Sequence, residues 1–146
     1  IKEKRLSKSL NVNVRCFSGS RISDMRHYIT PLLRKRPDYV VLHVSTNDCI
    51  DKAAGGIISD LLQLKQEIES FLLACTVIIS TPIIREDNRM ARTTVADINR
   101  ILYSLNINIL NNENIEEKHL SQGGLHLNDY GNKRMALNII TLLRNL

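Results

Sequence analysis

Short apolar runs alternate with longer helical stripes along this chain, and that order narrows the fold more than any other feature. Asn11–Phe17 (NVNVRCF) alternates apolar and polar residues, with Val12, Val14 and Cys16 on one face, and predicts a half-buried strand. Ile22–Arg36 places Ile22, Met25, Ile29, Leu32 and Leu33 on one stripe. It predicts a helix capped by Ser20 or Ser23 and kinked at Pro31. Tyr39–Val44 (YVVLHV) is nearly unbroken and β-branched, as a strand buried on both faces of a parallel sheet reads. Ala53-Ala54-Gly55-Gly56 reads as a flexible joint. Ile57–Ala74 predicts a helix through Leu61, Leu64, Ile68, Phe71 and Leu72. Thr76–Ser80 predicts the next buried strand, and the charged residues 83–92 a loop. Thr93–Leu105 predicts a helix, Ile107–Leu110 a short strand, and residues 111–122 an irregular segment. Asn128 then caps a last helix that buries Met135, Ile139, Ile140 and Leu143. Strict β-α alternation implies an α/β chain with a parallel sheet, helices on both faces and right-handed crossovers.

The 146 residues suit one domain, 1–146, with no internal repeat. No apolar run approaches the roughly 18 residues that cross a membrane. The start, IKEKRLSKSL, is basic with no apolar stretch after it, so no leader is expected, and its first residue suggests a beginning inside a longer protein. Cys16, Cys49 and Cys75 are odd in number and lack metal-ligand spacing, which fits reduced thiols and an intracellular, cytoplasmic setting. Residues 1–36 hold ten Lys/Arg against Glu3 and Asp24, or +8, whereas residues 37–146 hold ten against thirteen acids, or −3. The basic end could face nucleic acid, but no recognition motif or aromatic platform accompanies it, and a solvated face is the preferred reading. No nucleotide-binding glycine pattern, cofactor motif or metal-ligand set occurs, so no cofactor is expected.

In a parallel sheet the loops after the strands gather on one edge, where ligands bind. Here they are Ser18-Gly19-Ser20, Ser45-Thr46-Asn47-Asp48, Ser80-Thr81-Pro82 and the segment reaching Gly123-Gly124-Leu125-His126-Leu127-Asn128. His126 is free to act as a base. Gly19 lets backbone approach a ligand and offers an N–H, and Asn47 offers an amide donor. Singly, Asn47-Asp48 is a turn, Gly19 a turn glycine and His126 a surface histidine. Together they are a base and two donors, most of an acyl-transfer site. Ser45, Asp48 and Gly123 form its neighbouring wall. Cys49 reads as a small buried residue, His43 as a core group, and His27 and His119 as surface.

HVSTND, the SGS after the first strand and GLHLNDYG resemble blocks of the SGNH (GDSL-type) hydrolases. These are esterases and acyl hydrolases on a flavodoxin-like three-layer α/β/α sandwich. The resemblance implies an oxyanion hole from the Gly19 N–H and the Asn47 amide, with His126 as catalytic base. It also implies a Gly-Asp-Ser turn carrying the nucleophile. That run occurs nowhere in the sequence, Ser45 stands in place of the third block's glycine, and Gly123 replaces the acid that should orient His126. Asp129, three residues after the histidine, reads instead as helping to start the last helix. Ser20 is the one substitute nucleophile considered, and no G-x-S-x-G elbow surrounds it.

The expected fold therefore lacks the family's first, central strand, which would lie between Asn11–Phe17 and Tyr39–Val44. Those two strands either pair directly or stay roughly 9–10 Å apart, and the gap is the expectation. The expected function is an SGNH-type esterase domain, inactive as these residues alone, acting on a small-molecule or acylated substrate. A degenerate binding module on the same fold is the alternative, and a nucleic-acid-associated domain a weaker one.

Overall fold

The computed structural model describes residue 6 and residues 11–146. Strands β1 (Tyr39–Leu42), β2 (Thr76–Ser80) and β3 (Ile109–Leu110) form a parallel sheet in the order β1-β2-β3. Tyr39 to Leu42 align with Thr76 to Ile79, and Ile79 and Ser80 with Ile109 and Leu110. The central β2 has Val77, Ile78 and Ile79 wholly buried, which is why its sequence is apolar without alternation.

Helices α1 (Ile22–Leu33), α2 (Ala54–Phe71) and α3 (Arg89–Ser104) cover one face. Their Ile22, Ile29, Leu61, Leu64, Ile98 and Leu102 close on Leu42, Val77 and Ile79. Helix α4 (Asp129–Arg144) covers the other, where Met135, Ala136 and Ile139 pack with Ile78, Leu110, Ile115 and Leu6. Each such side chain stabilises the fold by about 1.5–3 kcal/mol on burial. The result is the expected α/β/α sandwich, with alternate residues of β2 feeding opposite cores.

The first predicted strand does not form. Among the described residues, 11–17 carry no ladder and none pairs with β1, although Val12 and Val14 still pack against the second core, as Val41 of β1 does. Cys16, predicted to share their face, is exposed. A strand needs a ladder for its N–H and C=O groups, and among the described residues the sheet holds only β1, β2 and β3, with β1 at its edge. The alternative of direct pairing between 12–16 and 40–44 is thus absent among the described residues, and no bond there contradicts the expected gap.

Several boundaries move. The N-cap of α1 is Arg21, whose N–H donates to Asp24 Oδ2 at 2.8 Å, so neither Ser20 nor Ser23 caps it. The supposed joint at Ala54-Gly55-Gly56 is the first turn of α2, where helical N–H groups have no intrahelical partner in any case. Asn88 caps α3 by accepting the Ala91 N–H at 2.9 Å, which starts that helix earlier than its apolar stripe shows. Asn128 caps α4 as expected, accepting from Gly131 N–H at 2.9 Å. His119 is buried, not at the surface. Its Nδ1 accepts the Glu116 N–H at 2.9 Å in a short turn that α4 approaches closely at Gly131, where a Cβ would lie 2.3 Å from the His119 carbonyl oxygen.

Candidate active site

The turn after residue 17 is set by Gly19, with φ +74 and open space where a Cβ would project, so the backbone conformation selects glycine here. Phe17 stacks on Tyr28 of α1 with ring centroids 4.4 Å apart, which pins the turn to that helix. The loop after β1 reaches it directly. Asn47 Nδ2 donates to the Ser20 carbonyl at 3.0 Å, bringing the two expected oxyanion donors into neighbouring loops and leaving one amide hydrogen of Asn47 uncommitted to that bond.

The rest of that loop serves the fold. Asp48 is 4% exposed, and its Oδ2 accepts the Ile22 N–H at 3.2 Å at the start of α1. Burial raises its pKa, partly countered by that bond. Ser45 is fully buried at φ +101, its carbonyl accepts the Asp48 and Cys49 N–H groups at 2.9 and 3.2 Å, and among the described residues its hydroxyl has no hydrogen-bond partner.

His126 projects from a tight loop. Its carbonyl accepts the Ser121 N–H at 2.7 Å and the Ser121 hydroxyl at 3.0 Å, and Leu120 bridges Leu127. Gly123 and Gly124 turn this loop with φ of +104 and +68. The side chain of His126 is exposed.

Residues 83–88 hold what sequence reasoning missed. Arg85, 3% exposed, donates from Nε and Nη2 to the two oxygens of Asp87 at 2.9 and 2.5 Å, and from Nη1 to the Thr46 carbonyl at 2.7 Å. The Arg85 hydrogen bonds hold the Asp87 carboxyl below its ordinary range, and the charge of His126 acts in the same direction. The Glu86 N–H donates to the Gly124 carbonyl at 2.9 Å, so this segment touches both the Asn47 loop and the His126 loop. The forked Arg-x-Asp spacing was visible in the sequence, but only the fold shows what it bridges.

No protein-family model matches the sequence, and no curated protein does. The solved structures give a different result. A lipolytic G-D-S-L family protein from Veillonella parvula aligns over 99% of this chain and 87% of its own, with TM-score 0.76 at 20% identity. A carbohydrate esterase family 3 structure from Talaromyces cellulolyticus aligns over 88% and 68%, with TM-score 0.75 at 19%. A lipase/acylhydrolase from Enterococcus faecalis aligns over 87% and 72%, with TM-score 0.66 at 19%. This is the SGNH hydrolase fold.

On the SGNH fold the candidate donors, Gly19 and Asn47, sit in adjacent loops, whereas the nucleophile's Gly-Asp-Ser run is not in the sequence. Two other groups resemble nucleophiles without their access. Cys49 is 1% exposed, donates its thiol to the Ser45 carbonyl, and burial pushes that thiol up to about 11. Ser80 Oγ lies 3.0 Å from His43 Nδ1, but Ser80 is 1% exposed and also accepts from Asn112 Nδ2 at 2.9 Å, so the hydroxyl is committed inside the fold, whereas His43, expected as a core group, is exposed at the end of β1, the sheet's edge strand. A groove of 780 Å³ runs between α3 and residues 112–118 over Pro82, Ile84, Val95 and Ile115, and Gly19, Asn47 and His126 take no part in it. Among the described residues no three His, Cys, Asp or Glu side chains converge as metal ligands would, and no helix is long and apolar enough to cross a membrane.

Proposed function

We propose that this chain is part of an acyl-ester hydrolase of the SGNH type, acting on a small acylated substrate. His126 is its base, and the Gly19 N–H and the Asn47 amide receive the oxyanion of the tetrahedral intermediate. The observation that carries this reading is the Asn47–Ser20 hydrogen bond, 3.0 Å long, which ties the Asn47 loop to the residue after Gly19 and so supports the two acting as neighbouring donors. The esterase and lipase names of the structural neighbours support an ester as substrate.

These residues by themselves should not hydrolyse esters, because among the described residues no serine with a base beside it faces the two donors. Donors and binding without the nucleophile leave only a small residual, roughly 10³–10⁴ over water in serine hydrolases stripped of their triad. The test is p-nitrophenyl acetate hydrolysis by the purified chain and by His126→Ala. Both should run at the same near-background rate. A rate that collapses in His126→Ala would reveal a nucleophile within these residues and overturn their inactivity.

A further inference from the structure

The strongest unexplained feature is a buried arginine. Arg85 is 3% exposed, and its guanidinium hydrogen bonds to the carboxylate two residues on and to the carbonyl of Thr46, across the sheet edge. Removing a guanidinium from water is costly, and here a forked ion pair and a backbone acceptor offset that cost. The segment that carries it is fastened to the histidine loop as well. Besides the Glu86–Gly124 hydrogen bond at 2.9 Å, a Cβ on Gly124 would lie 2.6 Å from Glu86 Cβ and 3.2 Å from Asp87 N, so the two loops are in backbone contact.

We propose that Asp87, held in place by Arg85, is the positioning carboxylate for His126, supplying from the loop after β2 the negative charge that Gly123 cannot supply. This rests on the reading of His126 as the base. The same arginine fixes the backbone one residue before Asn47, so one side chain sets the spacing between the oxyanion donor and the base. Arg85 forks both Asp87 oxygens with fixed planar geometry, which keeps the carboxylate from swinging away. A carboxylate beside an imidazole stabilises the imidazolium formed when the base takes a proton and selects one ring tautomer. Glu86, the neighbouring acid, is engaged elsewhere by Arg92 at 2.6 Å.

The test uses the chain as it is and needs no turnover. Carbon-13 NMR follows the titration of the Asp87 carboxyl, and nitrogen-15 NMR reads the tautomer of His126. In His126→Ala the Asp87 midpoint should rise, since a cation that favoured its charged form is gone. In Asp87→Asn the His126 ring should change from one dominant tautomer to a mixture, and Asp87→Glu should restore the single form. An Asp87 midpoint unmoved by His126→Ala, or a His126 spectrum identical in wild type and Asp87→Asn, overturns the proposal. His126→Ala leaves the Arg85–Asp87 pair intact, so its result does not depend on whether Asp87→Asn folds. The ester assay stands apart from both spectra, so failure of the hydrolase reading and failure of this pairing are separately visible.

Discussion

Ser45→Gly should make the protein more stable. Ser45 has φ +101, where a Cβ is strained, and it is fully buried with an unpartnered hydroxyl. A non-glycine residue held in such a region costs about 1–3 kcal/mol. A buried hydroxyl without a partner costs a further 1–3 kcal/mol, roughly. Glycine removes both. Against this, its extra freedom in the unfolded chain costs about 0.5–1 kcal/mol, and the lost CH₂ contact costs about 0.8 kcal/mol. The balance is a gain of about 2 kcal/mol. At about 2.1 cal/mol/K per residue of unfolding entropy, 146 residues convert this to about 6 °C in Tm. Ser45→Ala separates the two contributions, because it deletes the hydroxyl and keeps the strained Cβ, so it should gain less than glycine. Urea unfolding and calorimetry on the three proteins measure this. A glycine variant less stable than the native protein would refute the reasoning, and an alanine variant equal to it would remove the strain from the account.

The other expectations are brief. Gly131→Ala should destabilise by about 1–3 kcal/mol or more by overpacking, because its Cβ would sit 2.3 Å from the His119 carbonyl oxygen and 2.8 Å from Leu127 Cδ2, and a lowered urea midpoint checks it. The Arg85 bonds depress the folded-state pKa of Asp87, so their contribution is full above the ordinary carboxylate value of 3.8 and is lost as pH falls through the lower folded value. Thermal unfolding between pH 6 and 2 should therefore fall more steeply for the native chain than for Asp87→Asn over roughly the last two pH units, and parallel curves would contradict this. Exposed Cys16 should react with a thiol reagent in the folded protein, while Cys49, 1% exposed and pushed up to about 11, should react only on unfolding. Mass spectrometry of the labelled peptides decides it, and early labelling of Cys49 would contradict its burial.

What the sequence determined by itself is what local chemistry encodes. Periodicity placed β2 at its observed bounds, because a strand covered on both faces must be apolar at every position. Asn128 was legible as a cap because a short polar side chain before an amphipathic stripe serves the free N–H groups of a helix start. Alternation of elements gave the layered parallel architecture, since parallel neighbours need a crossover that packs back on the sheet. The loops bearing Gly19, Asn47 and His126 were legible for the same reason. Tertiary structure decided the rest, wherever a residue's role depends on a partner far along the chain. Asn11–Phe17 has strand periodicity, but among the described residues no strand ladder includes it, because β1 pairs only with β2. Asp48 looked like part of a cleft, and only the approach of Ile22, 26 residues earlier, turns it into a support for α1. His119 looked exposed until α4 folded over it at Gly131. Arg85 read as one charge in a charged loop. Its burial between Asp87 and a carbonyl 39 residues earlier exists only when the ends of β1 and β2 stand side by side, because a desolvated guanidinium is tolerable only where the fold brings acceptors to it.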